Sequence, residues 1–208
     1  MKTFKTEQEE FWAGDFGAEY SERNVGDKWI ASNISLFSKI FSRTNSVNSL
    51  IEFGSNIGLN LKAIKTLLPE IKLSAIEIND AAVEELKSFN QGEINIYHKS
   101  ILDFEPDNSW DFVLIKGVLI HINPDKLNDV YSKLYKSSKK YICLAEYYNP
   151  SPVAINYRGH SDKLFKRDFA GEMLEKYPEL RLVDYGFVYH RDKHYPQDDI
   201  TWFLMEKV

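Results

Sequence analysis

The chain has 208 residues and a mass of 24.2 kDa, which suits one domain with a full hydrophobic core. Hydrophobic residues make up 43% of it and the net charge is −5, which excludes a disordered chain and indicates no nucleic-acid partner. The single cysteine, Cys143, excludes an internal disulfide and a cysteine-built zinc site. Because we find neither a run of about 18 apolar residues nor a signal peptide, we expect a cytoplasmic protein with no membrane partner.

Helical and extended patterns alternate along the chain. In chain order the sequence predicts an amphipathic helix over 26–43, a strand over 47–54, a helix over 60–70, a strand over 71–78, a helix over 80–90 and strands over 94–100 and 110–119. It then predicts a helix that begins at Asn123 and Pro124, a strand over 140–148, a helix over 162–177 and closing strands over 180–190 and 200–208.

This alternation indicates a mostly parallel sheet with helices on both faces. The two closing strands are joined by the short segment "RDKHYPQDD", which leaves no room for a helical crossover, so they should pair antiparallel. The sequence therefore predicts an α/β fold with a Rossmann-like, seven-stranded, mostly parallel sheet whose last strand is antiparallel.

The stretch "SLIEFGSNIGLNL" after the first predicted helix marks a ligand site. A strand, a glycine turn and a helix meet there, at the carboxyl edge where open α/β sheets bind ligands. The dinucleotide fingerprint would need glycines at 54, 56 and 59, but positions 56 and 59 hold Asn56 and Leu59. The phosphate-binding loop pattern also fails, since no Gly-Lys-Ser/Thr follows.

The pattern that remains is acid-x-Gly-x-x-x-Gly, formed by Glu52, Gly54 and Gly58. It resembles motif I of the class I S-adenosylmethionine-dependent methyltransferases, with Asn56 in place of the middle glycine. The resemblance implies S-adenosyl-L-methionine as cofactor and S-adenosyl-L-homocysteine as product. Glu77 ends the second strand, where an acid can accept both ribose hydroxyls.

The order of further matches agrees with this family between about residues 48 and 145. In the family the loop after the third strand holds the adenine, and the fourth strand ends near the cofactor. Together with an N-terminal aromatic segment, the resemblance implies these cofactor-binding residues: Tyr20, Asn24, Glu52, Gly54, Asn56, Gly58, Glu77, Ile78, Ser100, Ile101, Lys116 and Val118.

The flanks of the chain carry information on the methyl acceptor. The stretches "YRGHSDKLFKRDFAGE" and "YHRD…PQDDITWF" resemble the pseudaminic-acid-biosynthesis-associated methylases, over nearly the whole chain. The resemblance implies methylation of a nonulosonic acid, free or nucleotide-activated, in surface polysaccharide biosynthesis. Aromatic faces suit sugar rings and a guanidinium suits a carboxylate or phosphate, which favours these substrate-binding residues: Tyr147, Tyr157, Arg158, His190 and Arg191.

A sugar hydroxyl has a high pKa, so a general base should assist methyl transfer to it. His121, which follows the fourth strand, is the first candidate, because histidine titrates near neutral pH. An equally open alternative is that His121 supports the "HINPD" turn. Glu146, at the end of the fifth strand, and His160 are further candidates. No histidine and acid cluster has a recognisable ligand spacing, so we expect an enzyme without a metal.

The chain is expected to form one domain: an N-terminal helical cap over 1–46 and a Rossmann-like core over 47–208, with substrate-binding elements at 146–167 and 186–200. Trp12 and the other aromatics of the cap suggest that it closes over the cofactor as a lid, with Tyr20 and Asn24 facing it. Two alternatives stay open: a methyltransferase for another small molecule, such as an amine or a nucleotide, or for a protein side chain, and a non-catalytic binding module that keeps the cofactor fold.

Overall fold

The computed structural model describes residues 4–23, 26–90 and 93–208. The described helices are α1 (Glu7–Ala13), α2 (Asp15–Arg23), α3 (Asp27–Phe41), α4 (Leu59–Leu67), α5 (Asp80–Asn90), α6 (Leu127–Ser137) and α7 (Phe169–Lys176), with short 3-10 turns at Leu119–His121 and Pro124–Lys126. The described strands are β1 (Ser49–Phe53), β2 (Lys72–Glu77), β3 (Ile94–His98), β4 (Trp110–Lys116), β5 (Ser138–Glu146), β6 (Val153–Tyr157), β7 (His160–Lys166), β8 (Leu180–Val188) and β9 (Ile200–Lys207).

Seven of these strands form one sheet in the order β3-β2-β1-β4-β5-β9-β8. The five strands β1 to β5 run parallel to one another, while β9 pairs antiparallel with both β5 and β8. The predicted fold class and the reversed last strand are therefore confirmed. The chain order reverses between β1 and β4, so a crevice opens beyond their carboxyl ends.

The core has one layer on each face of the sheet, because alternate residues of a strand point to opposite faces. Ile51 and Val113 pack with α6 and α7 in one layer. Leu50 and Phe112 pack with α3 and α4 in the other. Cys143 is a buried free thiol within this second layer.

Side-chain caps mark the start of α5 and of the turn that leads into α6. The Asn79 side chain accepts hydrogen bonds from the amides of Ala81 and Ala82 at the start of α5. Asn123 accepts from the amide of Asp125 and so caps the turn that leads into α6. Both caps confirm predicted helix starts, and both caps lie at the edge of the sheet that faces the crevice.

The helix predicted over 162–177 is wrong in its first half. Residues His160–Lys166 form β7, which pairs antiparallel with β6 in a separate two-stranded hairpin. The helix α7 begins later because Asp168 caps it, accepting a hydrogen bond from the amide of Gly171 at 2.8 Å. The substrate-binding loop expected after β5 is therefore largely this hairpin.

The N-terminal helices α1 and α2 lie over the crevice and contact the hairpin. Thr6 and Glu9 form a reciprocal capping box at the start of α1. Gln8 donates to the carbonyl oxygen of Asp162 at 2.9 Å, and Lys163 forms an ion pair with Glu7. These contacts join two segments that are about 150 residues apart in sequence.

Candidate functional site

A cavity of about 520 Å³ opens at the carboxyl edge of the sheet, between the strand tips, the helices α1 and α2 and the tip of the hairpin. This volume lies within the range of sites that bind small molecules. Thirteen of the predicted site residues line it: Tyr20, Gly54, Asn56, Glu77, Ile78, Ser100, Ile101, Lys116, Val118, His121, Tyr147, Tyr157 and Arg158.

The turn after β1 needs an unusual backbone. Gly54 has φ of 76°, and a Cβ atom added there would lie 2.6 Å from Cγ2 of Val118. Asn56, with φ of 48°, also has a left-handed backbone, which asparagine tolerates better than most residues. Glycine is therefore required at position 54 by both conformation and space. The amides of Gly54 and Ser55 donate to the carbonyl oxygen of Ile76, which holds this turn against β2.

Glu77 is a second anchor of the turn. Its carboxylate accepts hydrogen bonds from the backbone amides of Asn56 at 2.7 Å, Ile78 at 2.9 Å and Asn79 at 2.8 Å. Burial raises the pKa of Glu77, and these amides oppose that rise. Each carboxylate oxygen has two lone pairs, so the oxygen that bonds Asn56 keeps one for a ligand hydroxyl.

Glu52 and Gly58 do not line the cavity, in contrast to their predicted roles. Glu52 is fully buried and accepts a hydrogen bond from the side chain of Asn60 at 2.6 Å. Asn60, in contrast, does line the cavity. Burial is the largest effect on Glu52 and raises its pKa to about 8, although the nearby Lys116 ammonium opposes this rise. Gly58 precedes α4 with φ of 79° and so serves the turn itself.

Three amide oxygens that line the cavity or border it have no hydrogen-bond partner within the described part of the chain. They belong to Asn33 in α3, Asn60 in α4 and Gln197 before β9. The amide nitrogen of Gln197 donates to the carbonyl of Ser32, which holds it beside Asn33. Buried acceptors without partners are unfavourable unless a donor arrives, so these amides suit a ligand with several N–H groups.

Ser100 is bonded to a residue that the sequence did not single out. Its hydroxyl donates to the buried carboxylate of Glu9 and accepts from the amide of Leu102 at 3.0 Å. Glu9 thus brings an acid to the tip of β3, where Ser100 itself carries no charge. The capping box of Thr6 and Glu9 was readable in the sequence "TEQE", but its partner 91 residues away was not.

His121 has one ring nitrogen held by the hairpin. Its Nδ1 atom lies 2.6 Å from the carbonyl oxygen of Lys163, so Nδ1 carries the proton and Nε2 is left as an acceptor. The ring lies 4.5 Å from that of Trp12 and 5.2 Å from that of Tyr157, centre to centre. Burial lowers the pKa of His121 to about 4, so the imidazole is neutral at physiological pH.

Glu146 supports the loop beside His121 and does not line the cavity. It accepts from the amides of Val118 and Leu119, both at 3.0 Å. Burial is the largest effect and raises the pKa of Glu146 to about 7, although these amides oppose the rise. Glu146 was predicted as a candidate base, but its carboxylate holds the backbone of the loop and does not reach the cavity.

The other end of the cavity is aromatic and carries charges of both signs. Tyr147 bonds Asp198, and burial together with this carboxylate raises the pKa of Tyr147. Tyr157 and Arg158 come from the tip of the hairpin, and the Arg158 guanidinium lies 5.8 Å from the Tyr157 ring centre. As expected from strand alternation, Tyr147 faces the site while Tyr148 is exposed to solvent.

Three further predicted residues lie outside the cavity. His160 is exposed and its ring packs against that of Phe11 at 5.0 Å. His190 is bound to Asp199 at 2.8 Å, and Arg191 is exposed in the same loop. Their placement follows from the hairpin and from the direction of the chain after β8, which the sequence pattern does not determine. Asn24 lies outside the described residues.

The lining also includes residues that the sequence analysis did not name as site residues: Gln8, Glu9, Trp29, Asn33, Asn60, Asn79, Gln197 and Asp198. Most are polar residues on helices or long loops, where no motif marks them. Asp198 had a signal, since it lies in the stretch "PQDD" between two apolar strands. Within residues 4–23, 26–90 and 93–208, no group of three or more His, Cys, Asp or Glu side chains is placed to hold a metal ion.

None of the described helices has both the length and the apolar character required to cross a membrane.

The sequence matches no family model and no curated protein. Its fold is similar to that of solved methyltransferases. Mitomycin 7-O-methyltransferase matches with a TM-score of 0.70 and 12% identity over 98% of this chain and 61% of its own. A glycopeptide N-methyltransferase complexed with S-adenosyl-L-homocysteine matches with a TM-score of 0.65 and 9% identity over 92% and 98%.

A methyltransferase from Leishmania major, described as dependent on S-adenosylmethionine, matches with a TM-score of 0.66 and 16% identity over 96% of this chain and 80% of its own. This chain thus spans about three fifths of the first relative's length and most of the other two. At these identities the similarity establishes a shared fold, the seven-stranded Rossmann-like fold of these methyltransferases.

Proposed function

We propose that this protein is an S-adenosylmethionine-dependent methyltransferase that O-methylates a sugar acid. One observation carries the proposal: the glycine turn at Gly54 and the carboxylate of Glu77 end neighbouring strands and face one cavity of about 520 Å³. The same fold in a glycopeptide N-methyltransferase that is complexed with S-adenosyl-L-homocysteine supports it.

The residues present fit this cofactor. Glu77 keeps one lone pair for a ribose hydroxyl. The unpaired amide oxygens of Asn33, Asn60 and Gln197 suit an ammonium group, which has three N–H donors and needs acceptors. Gly54 leaves no Cβ between Val118 and the turn, so the backbone there can approach a ligand.

S-adenosylmethionine supplies a methyl group already activated on a sulfonium, so the chain's own residues need to position the acceptor, exclude water and remove a proton. His121 is suited to the last task, because its Nδ1–H is fixed by the Lys163 carbonyl and its Nε2 is unprotonated. Trp12 and Tyr157 cover the imidazole on the side of α1 and of the hairpin.

The acceptor end favours an anionic sugar for two reasons. Arg158 stands at the cavity with a guanidinium that can bind a carboxylate or phosphate in a bidentate way. Tyr147 and Tyr157 present apolar ring faces suited to a sugar ring. Together with the resemblance of the flanking stretches, these residues support a pseudaminic acid-like nonulosonic acid, free or nucleotide-activated, in surface glycan biosynthesis.

A second candidate acceptor is a small amine. Asp198 also lines the cavity and is bonded to Tyr147, which would place a carboxylate beside aromatic rings, a suitable environment for a cation. A solved protein of similar fold with 13% identity, coclaurine N-methyltransferase bound to N-methylheliamine, supports this second candidate.

The test has two steps. Calorimetric titration with S-adenosylmethionine should give a saturable heat for the wild type and none for Glu77→Ala, whereas no heat with wild type would favour a non-catalytic module. Next, methyl-labelled cofactor is incubated with free sugar acids, their cytidylyl forms and a panel of small amines, and products are read by mass. One added methyl on a sugar acid supports the proposal, and methylation of amines alone would replace it with the second candidate.

A further inference from the structure

The sheet carries an uncovered aromatic surface at the end formed by β8. Tyr185 is 64% exposed, Phe187 is 57% exposed and Tyr189, just beyond the strand, is 44% exposed. Their positions differ by two, so they share one face of the sheet. The ring of Phe203 on β9 lies opposite Tyr185, with centres 6.3 Å apart. We call these four residues the β8 aromatic face.

The opposite face of the same strand is packed, so the exposure is not the result of a loosely held strand. A Cβ atom added at Gly186 would lie 2.7 Å from the indole ring of Trp202, and Val188 packs against the core. The helix α7, with eight residues, packs over Leu180 at the beginning of β8 but leaves the aromatic face uncovered. The sheet of a Rossmann-like domain is normally covered on both faces, but no second layer covers this region among residues 4–23, 26–90 and 93–208.

The backbone edge is open as well. β8 is the last strand in the sheet order, and no strand among the described residues pairs with its outer side. Exposed edge strands are usually protected by charged side chains or a bulge. Here the bulge lies between Leu182 and Asp184, which leaves the segment from Tyr185 to Val188 regular and free of charge.

Charge and the open strand edge both favour a second copy of this chain as the occupant. The charged neighbours on β8 are already paired within the chain, Arg181 with Glu206 and Asp184 with Arg43. Two chains of net charge −5 can therefore meet at this surface without placing unpaired like charges together. Pairing of the two strand edges would supply backbone hydrogen bonds along Tyr185 to Val188 and bury the flanks of the exposed rings that face the partner strand.

We propose that the protein forms a two-fold symmetric dimer in which β8 of one copy pairs antiparallel with β8 of the other, joining the two β8 aromatic faces. The axis passes near Phe187, because this places Tyr185 and Tyr189 of the two copies within reach of each other as cross-strand aromatic pairs. The proposal does not depend on the enzymatic function.

Cross-linking tests this arrangement directly. Cys143 is buried, so a cysteine introduced on β8 is the reactive thiol. In Phe187→Cys the two thiols of the dimer lie within about 8 Å, and a short bismaleimide should link them. Leu182→Cys is the matched control, since it is also exposed on β8 but the two copies would lie roughly 30 Å apart along the strands. Equal cross-linking of both variants would overturn the register.

Mass measurement by light scattering tests the dimer itself. Wild type at tens of micromolar should have twice the 24.2 kDa of one chain. Phe187→Lys should halve the measured mass, because it places two like charges directly opposite each other at the axis, while Tyr195→Lys, an exposed aromatic off the strand, should keep it. A monomeric wild type, or a dimer in Phe187→Lys, would overturn the proposal. Should Phe187→Lys fail the check of folding by circular dichroism, the cysteine pair decides.

Discussion

The carbonyl oxygen of Lys163, on β7, lies 2.6 Å from Nδ1 of His121, on the turn after β4. This contact joins the hairpin to the imidazole that lines the cavity. Because a carbonyl accepts and never donates, the bond fixes the tautomer of the ring and leaves Nε2 free of a proton. The hairpin therefore supplies part of the proposed acceptor site and also orients the candidate base.

The first prediction concerns this imidazole. His121→Asn keeps a donor for the Lys163 carbonyl but removes Nε2, so kcat should fall about a hundredfold or more, with little change in the Kd of S-adenosylmethionine. Glu146→Gln should keep kcat within a few-fold, because the amide oxygen can still accept from Val118 and Leu119. A larger effect of Glu146→Gln than of His121→Asn would reverse the two roles.

The pH dependence of stability also depends on His121. Its folded pKa of about 4 is below the ordinary 6.5, so the unfolded chain binds the proton more readily. The stabilisation from the neutral ring is complete above pH 6.5 and is lost as pH falls from 6.5 towards 4. Urea unfolding of wild type and His121→Asn should show that the variant lacks this part of the acid-induced loss. Parallel curves for both proteins would contradict it.

Glu52 gives a prediction of the opposite sign. Its folded pKa of about 8 exceeds the ordinary 4.5, so the folded state holds the proton more tightly and loses stability as pH rises from 4.5 towards 8. Glu52→Gln keeps an acceptor for Asn60 without this cost. As pH rises, the free energy of unfolding of the variant should increase relative to that of wild type by at most roughly 1.4 kcal/mol per pH unit. Denaturant titrations at pH 5, 6, 7 and 8 measure the difference, and a constant difference would contradict the assignment.

Gly54 offers a test of the turn with a matched control. Gly54→Ala should lower the free energy of unfolding by about 1–3 kcal/mol, because the left-handed backbone is strained and the new Cβ meets Val118. Gly117→Ala shares the positive φ, 67°, but its Cβ would have no atom within 4 Å, so it should cost less. The double variant Gly54→Ala, Val118→Ala should recover the difference. Equal costs for both glycines would mean that conformation alone matters.

The lid hypothesis is tested at Trp12. Trp12→Ala should weaken cofactor binding at least tenfold, since the indole lines the cavity and packs on His121 and Tyr20. Phe11→Ala alters the packing of the same helix without removing a lining residue. Calorimetry on both variants separates the two effects. Unchanged cofactor affinity and turnover in Trp12→Ala would contradict the lid hypothesis.

Acceptor recognition is tested at Arg158. Arg158→Ala should raise the KM of an anionic acceptor tenfold or more, because a hydrogen bond to a charged group contributes about 1.5–3 kcal/mol. Arg191→Ala is the control, an exposed arginine that does not line the cavity. If the KM values of the two variants agree, Arg158 does not bind the acceptor.

Much of the fold was predictable because local patterns are sufficient for it. Apolar strands alternate with amphipathic helices, and the caps at Asn79 and Asn123 lie where the pattern places them. The short link between the last two strands required antiparallel pairing. The hairpin was missed because β7, "HSDKLFK", is mostly polar and its contacts are with α1 and with the turn at His121, which are distant in sequence.

The sequence by itself determined the seven strands of the large sheet, and with them the edge where Gly54 and Glu77 meet. Tertiary structure alone decided which side chains reach the cavity. Alternate residues of a strand point to opposite faces, so Glu52 on β1 is buried away from the cavity, whereas Asn60 on α4 lines it. Glu9, Lys163 and Asp198 reach the site from helices, hairpin and loop, and only packing of the whole chain brings such distant segments together.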